Sequence, residues 1–256
     1  MKFTDSHTHL FAEEFDDDRD AVVARALAAG VDKMYLPNID TGTVPAMLQM
    51  AEKWPANCFP MIGLHPCSVK AGFQRQLDKL AAYFQQQHFW AIGEVGLDFY
   101  WDTAFRQEQV SAFQQQIDWA LVQDLPVVIH TRNSIDECIS IIEKKQNGSL
   151  RGVFHCFSGN VEQAQKIIAL GFYIGIGGVA TFKNGGLAPV LKEIGLKRIL
   201  LETDSPYLAP VPYRGKRNES SYIPVIAQKI ADIKEITLEQ VSEVTTRNAA
   251  HLFEKI

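Results

Sequence analysis

Apolar and polar positions along the chain alternate between two periods. Short apolar runs with strand character are each followed by a stretch whose apolar residues recur every three to four positions. The first run is Phe3-Thr4-Asp5-Ser6-His7-Thr8-His9-Leu10, a short strand-prone stretch with two histidines one residue apart at its end. A helical pattern over Phe15–Ala29 (Val22, Val23, Ala26, Leu27) then stops at Gly30, a residue suited to a helix C-terminus. The same alternation predicts strands over Lys33–Pro37, Phe59–Leu64, Trp90–Glu94, Val127–His130, Gly152–His155, Phe172–Gly175 and Arg198–Glu202. Between them fall helices over Val44–Lys53, around Leu77–Gln87, through Phe105, Phe113, Ile117, Ala120 and Leu121, and over Ile135–Lys145, Val161–Leu170 and Leu187–Ile194. Two closing helices, Ile223–Ile233 and Leu238–Phe253, complete the chain. Eight strand-then-helix units in 256 residues match the count and length of a (β/α)8 TIM barrel of the α/β class. With no linker or low-complexity tract, a single barrel domain over 1–256 is expected. An open doubly wound sheet competes, but the first strand-to-helix turn lacks its Gly-rich phosphate loop.

The barrel changes what the polar residues mean. All C-terminal strand ends of a barrel gather at one mouth. His7 and His9 close the first strand, Glu94 the fourth, His130 the fifth and His155 the sixth, and Asp204 follows the eighth. On a strand face His7 and His9 would stand about 6.6 Å apart, two residues at ~3.3 Å each. Alone, such a pair is also compatible with incidental polar residues. With Glu94, His130, His155 and Asp204 it becomes a set of six metal-competent side chains. Six donors exceed the needs of one tetrahedral ion and suit two divalent ions, with Glu94 placed to bridge them. Two such ions lower the pKa of a shared water and clamp attacking and leaving oxygens. Strand parity turns Glu202 to the same side as Asp204, and sends Phe154 and Cys156 away from the side of His155. Cys156 therefore reads as packing, and His88 and His251, on helices or their ends, as surface or packing residues.

Composition narrows the function classes. A net charge of −5 argues against a broad basic surface for polyanions. Neutral histidines leave the six donors with a charge of about −2 against +4 for two ions, so the mouth itself favours an anionic substrate such as a phosphodiester. Cys58, Cys67, Cys138 and Cys156 show neither metal spacing nor a disulfide framework, which predicts a reducing, cytoplasmic setting. No apolar run reaches membrane-spanning length.

Five motifs in order carry a resemblance: Asp5-Ser6-His7-Thr8-His9-Leu10, Gly63-Leu64-His65-Pro66, Gly93-Glu94-Val95-Gly96-Leu97-Asp98, Leu200-Leu201-Glu202-Thr203-Asp204-Ser205-Pro206 and Pro212-Tyr213-Arg214-Gly215-Lys216-Arg217-Asn218. Together they resemble the TatD family of metal-dependent deoxyribonucleases, up to the closing Arg247-Asn248-Ala249 helix. The resemblance implies an amidohydrolase-like barrel, a dinuclear site and phosphodiester hydrolysis of DNA, as a 3′-5′ exonuclease, an abasic-site endonuclease or both. It places His7, His9, Glu94 and Asp204 on one metal and Glu94, His130 and His155 on the other, the ions being Zn, Mg or Mn. Phe11 departs from the family's acidic or amide residue, and Ser220 from its usual proline.

Roles follow, each beside a plainer reading. Asp204 is the candidate general base, against a turn-capping aspartate. Glu202 is expected to fix the tautomer of a ligand histidine, against a merely buried glutamate. His65 is placed to donate to a phosphate oxygen, against packing on Pro66. Asp98 reads as a residue shaping its loop. Arg214, Lys216 and Arg217 form a compact basic loop above the mouth and are expected to hold substrate phosphates, although surface cations usually do nothing specific. The substrate expected is DNA, single-stranded or at ends, and the enzyme a monomer. The competing enzyme is an amidohydrolase of a small amide, lactone or nucleobase. Many of those bridge their metals with a modified lysine after the fourth strand, where this chain has Glu94. A non-catalytic metal scaffold would leave so complete a set of donors without a use.

Overall fold

The computed structural model describes residues 1–101 and 103–254. Its strands are β1 (Phe3–Asp5), β2 (Val31–Pro37), β3 (Cys58–Met61), β4 (Ile92–Asp98), β5 (Val127–Arg132), β6 (Gly152–Phe154), β7 (Tyr173–Ile176) and β8 (Ile199–Leu201). Parallel pairing runs β1-β2-β3 and β4-β5-β6-β7-β8. Two parallel bridges join these arcs into a ring: Ile62 with Ile92 between β3 and β4, and Thr8 with Ser205 just beyond β1 and β8. The Ser6 amide, which donates to the Leu201 carbonyl at 2.9 Å, strengthens the second closure. The fold is a (β/α)8 TIM barrel.

The helices are α1 (Arg19–Ala28), α2 (Val44–Lys53), α3 (Phe73–Ala82), α4 (Arg106–Gln123), α5 (Ile135–Lys145), α6 (Val161–Ala169), α7 (Leu187–Glu193), α8 (Ile223–Lys234) and α9 (Leu238–Phe253). Reciprocal capping boxes start two of them, Asn160 with Gln163 on α6 and Thr237 with Gln240 on α9. None of the described helices is long and apolar enough to cross a membrane.

Side-chain parity sorts the core into two layers. Tyr35, Phe59, Met61, Val128, Val153, Tyr173 and Leu200 pack together inside the ring, plugged at one end by Phe253 of α9, whose ring lies 4.1 Å from that of Tyr35. Their strand neighbours Val127, Ile129, Phe154, Ile174 and Leu201 belong to the larger layer between strands and helices. Each fully buried Val or Leu contributes about 1.5–3 kcal/mol. Parity therefore fixes the strands' rotation and with it the direction of whatever follows at their C-terminal ends. His130 continues the inward parity of Val128, and Glu202 that of Leu200, the side the sequence predicts for Glu202.

Several boundaries differ from expectation: β3 ends at Met61 rather than Leu64, α3 runs over Phe73–Ala82 rather than Leu77–Gln87, and β6 and β8 stop short of His155 and Glu202. β1 ends at Asp5, so His7 and His9 lie in irregular chain beyond it rather than on a strand face. β4 continues four residues past Glu94, to Asp98. Its continuation rests on Gly96, with φ +138°, where a Cβ would lie 2.2 Å from the His130 carbonyl oxygen. Only glycine lets β4 and β5 pair that closely there. The helical pattern expected from Phe15 begins at Arg19, because a short 3-10 turn over Glu13–Phe15 precedes it.

Candidate metal centre

Glu94 stands buried at the centre of the mouth, and its two carboxylate oxygens face different neighbours. Oε2 lies 3.1 Å from His7 Nε2 and 3.4 Å from His9 Nε2. Oε1 lies 2.7 Å from His155 Nε2, 2.8 Å from His130 Nδ1 and 3.3 Å from His65 Nε2. Asp204 Oδ1 joins the first group at 3.6 Å from both His7 Nε2 and His9 Nε2, and those two nitrogens are 3.3 Å apart. The two ring tips thus converge on the same side of Glu94, in the irregular chain beyond β1. His155 sits between the groups: its ring stacks on His7 at 3.8 Å, and its Nε2 is 3.4 Å from His130 Nδ1.

These spacings fit metal coordination. Two donors about 2.1 Å from one ion at a tetrahedral angle stand about 3.4 Å apart. The tautomers fit as well. His9 Nδ1 faces the Pro37 carbonyl oxygen at 3.1 Å, so the proton belongs on Nδ1 and the Nε2 lone pair faces Glu94 and Asp204. His130 Nε2 faces Asp98 Oδ2 at 3.0 Å, so its proton belongs there and the Nδ1 lone pair faces Glu94. Lone pairs aimed at carboxylate oxygens repel unless a proton or a cation lies between them. The six side chains are therefore a donor set in need of positive charge.

The ionisation tendencies agree. Burial would raise the Glu94 carboxyl, but the surrounding imidazoles hold it well below the usual range. Burial likewise opposes ionisation of Asp204, yet His9 and its neighbours keep the carboxyl low. Burial disfavours a charged His9, whereas hydrogen bonds to Asp204 and Glu94 lift it to about 9. Against burial, His130 is raised by Asp98 and Glu94, and His155 by Glu94 and Glu202. His7 and His65 are pushed down, chiefly by burial.

Local backbone supports the arrangement. Asp204 and Cys156 both adopt left-handed conformations, φ 57° and 46°, which non-glycine residues seldom take outside constrained sites. The turn at Cys156 breaks the strand parity expected of it and aims its amide at Glu202 Oε1. Glu202 fits because Gly175 has no side chain, since a Cβ there would lie 2.2 Å from Glu202 Oε2. Its Oε1 is 3.7 Å from His155 Nδ1, beyond a direct hydrogen bond. His65 Nδ1 accepts from the Cys67 amide at 3.1 Å, which leaves the proton on Nε2, on the side of Glu94.

Two carboxylates do more than their motifs reveal. Asp98 accepts from His130 with Oδ2 and from the Tyr100 and Trp101 amides with Oδ1, at 2.9 and 3.2 Å. It orients His130, and nothing but its place four residues after Glu94 signals this in sequence. Asp5 accepts from the Thr203 amide at 3.0 Å, the Thr203 hydroxyl at 2.6 Å, the Ser220 hydroxyl at 2.7 Å and the His7 amide at 3.3 Å. It ties the His7 segment to the Asp204 segment. Ser220, unusual for the resembled family, is one of its partners.

The basic loop is arranged differently from expectation at one position. Arg217 donates to Asp18 Oδ2 at 2.8 Å and to the Glu14 carbonyl at 2.6 Å, and its guanidinium lies 4.6 Å over the Phe15 ring. Its charge is matched by an acidic partner far away in sequence, so it is not a free phosphate handle. Arg214, which rests 4.5 Å over Phe182, and Lys216 remain exposed. His88 and His251 are at the surface.

Comparison with known proteins decides the family. The family described as TatD related DNase matches residues 4–254. The chain belongs to the TatD-related DNase family. Among its relatives is the uncharacterized metal-dependent hydrolase YabD of Bacillus subtilis, 36% identical over 250 residues, 97% of this chain and 98% of YabD. The 3′-5′ ssDNA/RNA exonuclease TatD of Salmonella typhimurium is 33% identical over 258 residues, 98% of this chain and 99% of that protein. The crystal structure of the TatD homolog YJJV from Escherichia coli superposes with a TM-score of 0.92 at 27% identity, covering 98% of each chain. Family membership and the donor set together make this TatD-family chain a metal-dependent hydrolase.

Proposed function

We propose that the chain is a metal-dependent phosphodiesterase that hydrolyses DNA from single-stranded ends, with two divalent ions bound across Glu94. The observation that carries this reading is the division of Glu94, one oxygen toward His7 and His9 and the other toward His130 and His155. In this reading His7, His9, Glu94 and Asp204 would hold one ion, and Glu94, His130 and His155 the other. Imidazole and carboxylate donors accept Zn, Mg or Mn. When bound, such ions supply Lewis acidity toward a phosphate oxygen and an acidified water.

The remaining chemistry belongs to the chain. Asp204 stays ionised and is partly open to the mouth, so it can take the proton of the attacking water. His65 is neutral with its proton on Nε2, and donates to a non-bridging phosphate oxygen as charge develops there. Asp98 and the Pro37 carbonyl hold the rings of His130 and His9, and Glu202 fixes the Cys156 turn beside His155. A relative bearing the name of a 3′-5′ ssDNA/RNA exonuclease supports the choice of substrate.

The test is incubation of metal-reconstituted protein with end-labelled oligonucleotides, single- and double-stranded, with and without an abasic residue. A ladder shortening from the 3′ end of the single strand is expected. Failure to cleave any oligonucleotide with Zn, Mg or Mn would refute the proposal.

A further inference from the structure

Beside the His130 edge of the mouth lie the most exposed aromatic rings of the barrel. Trp101 is 68% exposed and Tyr100 54% exposed, their rings 4.9 Å apart and nearly perpendicular. Arg132 lies over both, its guanidinium carbon 4.0 Å from the Tyr100 centroid and 5.0 Å from that of Trp101. Among the described residues Arg132 forms no ion pair, and its side chain is exposed. Large rings left in water beside a cation need an explanation, because burying them would be favourable.

Their placement is tied to the site. Arg132 is two residues beyond His130 on β5, so parity turns it to the same side of the sheet. In the parallel register it stands opposite Asp98. One carboxylate links the parts: Asp98 holds His130 Nε2 with one oxygen and the Tyr100 and Trp101 amides with the other. On the opposite flank Tyr207, half exposed, lies 6.3 Å from the His9 ring.

We infer that Tyr100, Trp101 and Arg132 form a stacking platform for an unpaired nucleobase next to the scissile phosphate. The inference rests on the nuclease reading above and adds the feature that selects single strands. Aromatic faces and arginine planes are what bind bases without regard to sequence. A base seated on Trp101 has left the stack of a duplex, so the platform rewards single-stranded or frayed ends and gives nothing to an intact helix. Arg132 contributes positive charge where a phosphodiester chain must pass, in a protein whose net charge is −5.

The test uses metal-loaded protein and single-stranded oligonucleotides carrying 2-aminopurine at each of the first three positions in turn. Stacking is read as loss of its fluorescence on a hydrolysis-resistant backbone. Wild type is expected to quench one position strongly, and Trp101→Ala to lose that quench. On the cleavable strand Trp101→Ala should raise KM about 5- to 150-fold, the effect of one stacked base, with a much smaller change in kcat. Trp101→Phe should recover most of the difference. An oligonucleotide lacking the base at that position should bind wild type and Trp101→Ala alike. Discrimination between single and double strands should narrow in Trp101→Ala. An unchanged quench and KM in Trp101→Ala, a loss of kcat alone, or an equal loss on the baseless strand would each overturn the platform while leaving the nuclease reading intact. Failure of wild type to cleave any oligonucleotide would remove both.

Discussion

Asp98→Asn is the substitution that separates orientation of a ligand from ligation itself. Asp98 makes no direct approach to Glu94, but its Oδ2 accepts from His130 Nε2 at 3.0 Å and its Oδ1 anchors two amides. Burial opposes its charge, yet the His130 contact and those amides hold the carboxyl well below the usual range. Asparagine keeps the shape and one acceptor, so the loop should stay in place. What disappears is the negative charge behind His130. A hydrogen bond to a charged group contributes about 1.5–3 kcal/mol, and loss of a carboxylate behind a ligand imidazole costs about 10- to 100-fold in metal affinity. At 1.4 kcal/mol per tenfold the two estimates coincide. Protons compete for the same benefit, because Asp98 also favours the protonated imidazole that excludes metal. The affinity ratio of wild type to Asp98→Asn should therefore be small at acidic pH and rise toward its full value above neutrality. Chelator competition at several pH values, with circular dichroism as a control for folding, measures this. Affinities within twofold at pH 8 would refute the role assigned to Asp98.

Three further outcomes follow from particular contacts. Asp204→Asn should lower kcat at least ~100-fold at matched metal content, the low end for a removed general base, whereas near-normal turnover would take Asp204 out of that role. Arg217→Gln should lower thermal stability through loss of Asp18 and Glu14 contacts, and leave the KM for a single-stranded oligonucleotide and its salt dependence unchanged. A flattened salt dependence would restore it as a phosphate contact. Burial would raise the Glu219 carboxyl, but Arg25, with a contact of 2.5 Å, holds it below its ordinary value. A depressed carboxyl contributes stability above its unfolded pKa and loses it as pH falls through the folded value. Glu219→Gln should thus lower the Tm by a few degrees at pH 7, for about 1 kcal/mol at a partly exposed pair, with the difference shrinking below the ordinary carboxylate range and vanishing once Glu219 is protonated in the folded protein. A difference that persists there would contradict the ion-pair account.

Local signals and long-range ones differ in how far sequence reveals them. Helices α2, α5 and α9 lie where their patterns predict, because periodicity and end residues are local, as with the Thr237–Gln240 box. The six donors were legible because barrel closure alone brings strand ends together. Strand ends were less so: after β1 and β8 the ladder gives way to bonds from Asp5 and to the left-handed turn at Asp204, neither of which leaves a periodic trace. The duties of Asp98, Asp5 and Arg217 depend on partners at His130, Thr203 and Asp18, remote in sequence, so residue type alone could not assign them. Tyr100 and Trp101 are aromatic residues that a pattern reader assigns to packing by default. Only their exposure beside Arg132 shows otherwise.

The central proposal is that Glu94 and the side chains around it would hold two divalent ions, both needed for hydrolysis. Metal-stripped protein titrated with a divalent ion, with bound metal and cleavage of an end-labelled single strand followed in the same samples, tests it most directly. The account predicts about two ions bound per chain and activity that reaches its plateau only as the second is taken up. A ceiling of one ion per chain, or full activity at one equivalent, would contradict it.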